Sequence, residues 1–380
     1  MKSMPILIAR RDALRWLVGT VGTVGLFGCG GGGSDTAVLS DEGGPDRDMA
    51  GALQPVGPYH LTDLGRLDPD LPSFGAAVNA HGQATGSSGT DGLRHAFLYS
   101  NGSMQDLGPP GISSGGAGIN DNAQICGSTQ QADFMARGFL YSGGVMQDIG
   151  TIGGQETSCA GINNSGQITG WSKTASGQFH AFLYAGGSMQ DLGTLGDDDT
   201  FECFGTGIND AGVVVGYTVF AAIGLLHHAF VLRDGRIEDL GVIGGDNSQA
   251  FAINVHGDIT GATTTAPATE MSAFLYSQGV MRSIGPAGST GRGINASRWV
   301  VGELRSCNVV GDDPEIHGFL YDGRSLHDLN GLLDDSGKGW VVNNANGIND
   351  AGQIVGTARA PGPVTSVGND HAVLLTPVAA

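Results

Sequence analysis

The chain has 380 residues, with 67 glycines, 14% charged residues and a formal net charge of −19. Glycine this far above the usual ~7% leaves too few helix formers for an α-bundle or a doubly wound α/β domain, and the lack of a fixed three-residue period excludes collagen. Hydrophobic residues make up 40%, ample for a core, so an all-β protein with many tight turns is expected.

Residues 1–28 read as an export address. Lys2, Arg10, Arg11 and Arg15 precede an apolar stretch from Trp16 to Gly28, too short to span a bilayer but suited to the core of a secretory signal. Arg10-Arg11-Asp12-Ala13-Leu14 resembles a twin-arginine export motif. Leu26-Phe27-Gly28-Cys29 is similar to a bacterial lipobox, which would make Cys29 the lipidated first residue and the membrane attachment. Gly30 to Gly57 is rich in Gly, Ser and Asp. It reads as a flexible tether with a reach of roughly 30 Å. The expected location is the bacterial cell envelope, at the outer membrane or cell surface, or the medium. Removing residues 1–28 takes away four bases and one acid and leaves a charge of −22, which excludes nucleic acid as a partner.

From residue 58 onward the sequence repeats. Ile-Asn-x-x-Gly-x-x-x-Gly (Val-Asn in the first copy) occurs seven times, with Asn79, Asn120, Asn163, Asn209, Asn254, Asn295 and Asn349 at intervals of 41 to 54 residues. Each lies seven residues before Gly86, Gly127, Gly170, Gly216, Gly261, Gly302 or Gly356, while the middle glycine becomes Ala123 and Arg298 in two copies. A second segment, His-Ala-Phe-Leu-Tyr followed by Met-Gln-Asp-Leu-Gly, begins at His95, Arg137, His180, His228, Ser272 and His317. Turn pairs such as Asn101-Gly102 sit at its centre, as a two-residue hairpin requires. Two hairpins of fixed length per repeat give four strands, a to d, and four strands every 40–50 residues form the blade of a β-propeller. Tyr59–Gly65 is a d strand with no c before it, and His371–Leu375 a c strand with no d after it. Joined, they complete a seventh blade. The predicted fold is an all-β, seven-bladed propeller over residues 58–380, closed by strand exchange between the two ends.

The His-Ala-Phe-Leu-Tyr, Asp-Leu-Gly and Ile-Asn-Asp-Ala-Gly-Gln-Ile-Val-Gly words resemble the HAF-repeat proteins, a bacterial family of extracellular repeats, over roughly residues 58–378. Arg137, Ser272 and Ser283 depart from that pattern. The resemblance implies architecture and an extracellular location, and no activity.

Variable d–a and b–c connections fall on one face of the predicted disc, where binding is expected. Many acids lie there. Asp197, Asp198 and Asp199, with Glu202, form the densest cluster and the candidate Ca²⁺ site, although they lack the alternating spacing of known calcium loops. No other cofactor is evident. Tyr217–Leu226 is apolar for a b–c connection, which makes Tyr217, Phe220, Ile223, Leu225 and Leu226 candidate partner contacts. Trp340, in the long Asn330–Asn346 connection, is a further one, as a lid or plug. The repeated histidines should stand well over 10 Å apart, given ~4.8 Å between strands, so they cannot share a metal and should hydrogen-bond a neighbouring carboxylate or backbone. The seven asparagines fit Asx turns. Cys159 and Cys203 open neighbouring a strands with the same parity, which argues against a bridge between them, and Cys126 reads as a small core residue. Gly111–Gly115 spells a nucleophile elbow and Gly331–Gly339 echoes a P-loop, but neither has the surrounding structure its chemistry needs. A monomeric, non-enzymatic binding module for an envelope protein or polysaccharide is therefore expected. The rival is a polysaccharide hydrolase or lyase using loop carboxylates.

Overall fold

The computed structural model describes residues 56–195, 201–220, 226–266, 270–306, 315–362 and 369–378. Strand β1 (Tyr59–Asp63) comes first. Blade 1 follows as β2–β5: Ser73–Val78, Ala84–Thr90, Leu93–Ser100 and Ser103–Asp106. Blade 2 is β6–β9 (Ser113–Ile119, Ile125–Gln130, Ala136–Ser142, Val145–Asp148), and blade 3 is β10–β13 (Thr157–Ile162, Ile168–Lys173, Phe179–Ala185, Ser188–Asp191). Blade 4 is β14–β17 (Glu202–Ile208, Val214–Phe220, Leu226–Arg233, Arg236–Gly241), and blade 5 is β18–β21 (Gly244–Ile253, Ile259–Thr265, Met271–Ser277, Val280–Ala287). Blade 6 is β22–β25 (Ser289–Ile294, Val300–Ser306, Glu315–Tyr321, Leu326–Asp328). The last three strands, β26 (Val341–Ile348), β27 (Ile354–Arg359) and β28 (Asp370–Pro377), take β1 as their fourth. The molecule is a seven-bladed β-propeller of four-stranded antiparallel sheets. Closure occurs as the sequence implies: β1 pairs antiparallel with β28 from Tyr59 opposite Pro377 to Asp63 opposite Val373, and Tyr59 and Leu61 are buried.

Each c strand is apolar on both faces because each blade is covered on both sides. Phe97, Phe139, Phe182, Phe230, Phe274 and Phe319 are all at most 2% exposed, worth about 2–3 kcal/mol apiece as area removed from water. Packing runs between blades: Ala96 and Leu107 of blade 1 share a core with Ile119, Ile125 and Phe139 of blade 2. The repeat's last glycine sits directly opposite that aromatic residue, as Gly127 does opposite Phe139 and Gly170 opposite Phe182. Every a–b pair is bulged just before this point, which drives an a-strand carbonyl against the glycine. A Cβ at Gly86, Gly127 or Gly170 would run into the backbone oxygen of Phe74, Gly115 or Ser158. That collision, and not turn chemistry, fixes the glycine.

The repeated asparagine does two jobs. Its Oδ1 accepts the backbone N–H groups two and four residues on, as in Asn163 with Ser165 (3.1 Å) and Gln167 (2.9 Å), which is the expected turn. Its Nδ2 also donates to the backbone carbonyl of the equivalent asparagine in the next blade. The links run Asn79 to Asn120 (3.0 Å), to Asn163 (3.0 Å), to Asn209 (3.0 Å), to Asn254 (3.1 Å), to Asn295 (3.0 Å), to Asn349 (3.3 Å), and back to Asn79 (2.9 Å). Seven hydrogen bonds thus form a closed ring.

The repeated histidine and aspartate also meet. His95 binds Asp106 (3.0 Å), His180 binds Asp191 (2.9 Å), His228 binds Asp239 (2.7 Å) and His317 binds Asp328 (2.7 Å). In the closing blade His371 binds Asp63 (2.9 Å), tying β28 to β1. The same carboxylates accept a backbone N–H two residues on, Gly108 to Asp106 (2.8 Å) being one case. Each pair therefore clasps a c strand to the end of its d strand.

One boundary differs from the sequence expectation. Tyr217 to Phe220 is not connection but the end of β15, pairing with β16 as far as Phe220 opposite Leu226; β-branched and aromatic residues favour continuing the ladder.

Asn163 is 3% exposed. Replacing it with alanine leaves two backbone donors and one neighbouring carbonyl without partners, so Asn163→Ala should destabilise the fold by about 3 kcal/mol. Asn163→Asp keeps the acceptor, loses the amide's bonds to Asn209 O in blade 4 and to Gln167 Oε1, and should cost less than the alanine, about 2 kcal/mol. Urea denaturation midpoints order the two variants; an unchanged midpoint for Asn163→Ala would remove the ring from the stability argument.

Candidate functional site

Adjacent a strands contact one another all the way round the ring, so they surround its axis. Each carries one bulged residue, three before the ring asparagine: Ala76, Ala117, Ala160, Thr206, Phe251, Arg292 and Asn346. All seven are half-buried. The longer side chains reach sideways: Thr206 donates to Ala250 O (2.9 Å) and Asn346 donates to Gly75 O (2.7 Å). Arg292 lies over the Phe251 ring at 4.8 Å and binds Glu303 at 2.9 Å. The axial lining is lopsided, with alanine in blades 1 to 3 and large side chains in blades 5 to 7.

Beside this wall, on the loop-bearing side, stands an aromatic sector. Tyr217 stacks on Phe204 (5.3 Å) and meets Phe251 edge-on (6.4 Å). Phe204 in turn packs with Trp171 (6.3 Å) and Phe179 (5.7 Å), and the Lys173 ammonium sits over Phe179 at 4.9 Å while pairing with Glu156. Burial pushes the Tyr217 hydroxyl up to about 12, against the opposing pull of Arg292, so it stays protonated and able to donate. Phe220 meets Phe201 edge-on at 4.8 Å and His228 at 5.2 Å. In blade 2, Phe134 is 71% exposed at φ +64° on the tip of the b–c hairpin.

The sequence candidates are placed unevenly. Tyr217 and Phe220 belong to the aromatic sector, but as strand residues packed on their neighbours. Leu226 opens β16 half-buried, and Ile223 and Leu225 lie outside the described residues. Trp340 is no plug on the axis: it packs on the core of the closing blade, edge-on to His371 at 5.4 Å. Asp197, Asp198 and Asp199 lie outside the described residues, as do Cys29, Arg10 and Arg11. Glu202 opens β14, half-buried and already engaged with other groups. Among the described residues no three His, Cys, Asp or Glu side chains stand close enough to hold a metal ion. Phe251 and Arg292 were missed by motif reading; superposing the seven copies on their asparagines would have shown both as large residues in an alanine column.

Cys126, Cys159 and Cys203 are free and buried, and Cys307 lies outside the described residues. Burial pushes the Cys126 and Cys203 thiols up to about 12 and the Cys159 thiol well above its ordinary value.

Fold and site together define a closed β-propeller with one chemically distinct sector on its loop-bearing face. The chain belongs to the family described as "Protein of unknown function (DUF3466)", whose model matches residues 171–376. That match corrects the HAF-repeat resemblance, which nothing supports: the short His-Ala-Phe words are c-strand core, and they do not identify the family. No curated protein is matched. Among solved structures, oligogalacturonate lyase from Vibrio parahaemolyticus superposes with a TM-score of 0.54 at 10% identity, over 83% of this chain and 93% of its own. The β-propeller domain of the Trilobed protease from Pyrococcus furiosus, described as having an open velcro topology, gives 0.51 at 9% identity over 84% and 95%. TolB from Acinetobacter baumannii gives 0.44 at 12% identity, over 61% of this chain and 58% of its own. For the lyase and the protease domain, likeness at these identities is likeness of fold.

A thiolate, not a thiol, reacts with Ellman's reagent. The count of rapidly reacting thiols should therefore rise by at least three on unfolding in guanidinium, and fast labelling of any of Cys126, Cys159 or Cys203 in the native state would contradict their burial.

Proposed function

We propose that this chain is an exported propeller, attached to the envelope by a lipid on Cys29, that binds a polysaccharide across its loop-bearing face without transforming it. The single observation behind this reading is the lopsided axial lining. A fold that repeats so closely keeps alanine at the bulge in three blades, yet sets Phe251 and Arg292 side by side in two others, next to the Tyr217 hydroxyl. Aromatic rings, a planar guanidinium and a protonated phenol are the mixed apolar and hydrogen-bonding surface that a sugar chain needs. The acids between β13 and β14 in the sequence, Asp197–Asp199 with Glu202, suit a polymer bridged through Ca²⁺.

Binding of envelope polysaccharide fractions to the mature chain should be saturable, and Phe251→Ala or Arg292→Ala should weaken it about tenfold or more. If neither variant changes retention, the axial sector is not the site. Accumulation of new reducing ends or unsaturated products over many turnovers would replace this reading with the hydrolase or lyase. A calcium-specific rise in melting temperature, reversed by EDTA, is expected if the acids hold the ion. Cys29→Ala should move the protein from the membrane to the soluble fraction.

A further inference from the structure

On the opposite face, which carries the short a–b and c–d turns, three consecutive blades depart from the repeat in concert. In blades 1, 2, 3 and 7 the fourth residue after the ring asparagine is Gln83, Gln124, Gln167 or Gln353, and each accepts from that asparagine's Nδ2. Blades 4, 5 and 6 have Val213, Asp258 and Trp299 there. In blade 6 the turn glycine is Arg298, held at φ +61°, a conformation that costs a side-chain-bearing residue energy. Its Nε donates across the blade boundary to Asp258 Oδ2 at 3.0 Å. Asp258, 4% exposed, also accepts from Ser277 Oγ (2.5 Å) and Asn254 Nδ2 (2.9 Å). Burial works to raise its carboxyl, but the hydrogen bonds from Ser277, Asn254 and Arg298 together hold it below the ordinary range. The carboxylate is thus fixed in its charged form.

Beside these exchanges lies a groove of about 590 Å³ lined by Val213, Arg233, His256, Asp258, Tyr276 and Arg298, among others. Arg233 is half-buried at the c–d turn of blade 4, and its guanidinium has no hydrogen bond or ion pair among the described residues. Arg298, which also lines the groove, commits only its Nε, and its two terminal nitrogens have no partner among the described residues. Two guanidinium groups against one carboxylate leave the groove a single positive charge, within a chain of net charge −19.

We propose that this groove binds a small ligand bearing one carboxylate, gripped between Arg233 and Arg298 with its body against Tyr276 and Val213. A guanidinium fork matches the two oxygens of a carboxylate, and a monoanion cancels the groove's charge. A phosphate dianion would overcharge it and is opposed by the field of the whole chain. The volume suits a ligand of one or two rings.

Calorimetry on the mature chain uses four probes: glucuronate, hippurate, glucose and inorganic phosphate. At least one of the two carboxylates should bind saturably, with glucose and phosphate at least tenfold weaker. Arg233→Gln should weaken carboxylate binding about tenfold or more. The double variant D258Q/R298G restores the glutamine and glycine of blades 1, 3 and 7. It should melt no lower than the parent chain and lose carboxylate binding to the same extent, which separates recognition from folding. Failure of both carboxylates to bind overturns the proposal. So does phosphate binding as tightly as the better carboxylate, or full carboxylate affinity in either variant.

Discussion

Everything in this molecule is organised around the asparagine ring. A four-stranded blade has two apolar faces and cannot stand alone, so the blades must meet as a closed circle. The ring makes that circle self-checking. Each asparagine amide satisfies its own turn through Oδ1 and reaches the carbonyl of the next copy through Nδ2, which in blades 1, 2, 3 and 7 also donates to a glutamine such as Gln167. The last link, Asn349 to Asn79, spans 270 residues and forms only when the first and last repeats are side by side. Local turn chemistry and global closure are therefore carried by one side chain, which is why the spacing from Asn to the bulge glycine is constant while the loops vary.

Much of this was legible in the sequence, for physical reasons. Fixed hairpin lengths report the ladder register, so strand count, blade count and the β1–β28 exchange could be read from spacing alone. The role of the histidines could be bounded by distance, and Asp106 and its counterparts prove to be their partners. What could not be read is whatever depends on a neighbouring strand or a neighbouring blade. The Asn79 amide looks like a turn former because its second bond goes to a residue far away in the chain. The bulge glycines look like turn residues because the carbonyl they avoid belongs to the partner strand. Tyr217 and Phe220 look like loop because apolar length does not say whether β15 continues. The family was misread for the same reason: His-Ala-Phe spells a buried strand, and a buried strand carries little identity.

Departures from the repeat are as informative as the repeat itself. Where the fold asks only for something small, as at the a-strand bulge, alanine suffices, and Phe251 and Arg292 exceed that demand. Where it asks for glutamine and glycine, Asp258 and Arg298 substitute as a coupled pair, each making sense only in the presence of the other. Structural need explains the consensus. It does not explain why blades 4 to 6 leave it on both faces of the disc.

Closure by β1 also sets how the molecule would carry a load. As a d strand, β1 begins at Tyr59 on the turn-bearing face and ends at Asp63 on the loop-bearing one. A pull on the chain ahead of residue 56 therefore leaves from the turn side and acts along the strand, so the five β1–β28 pairs resist together in shear and are not peeled one by one. The clasp between Asp63 and His371 lies at the far end of that strand, where slippage would have to break it. An anchor attached there would hold the loop-bearing face outward, and tension on it would tighten the alignment of the disc without first opening the ring.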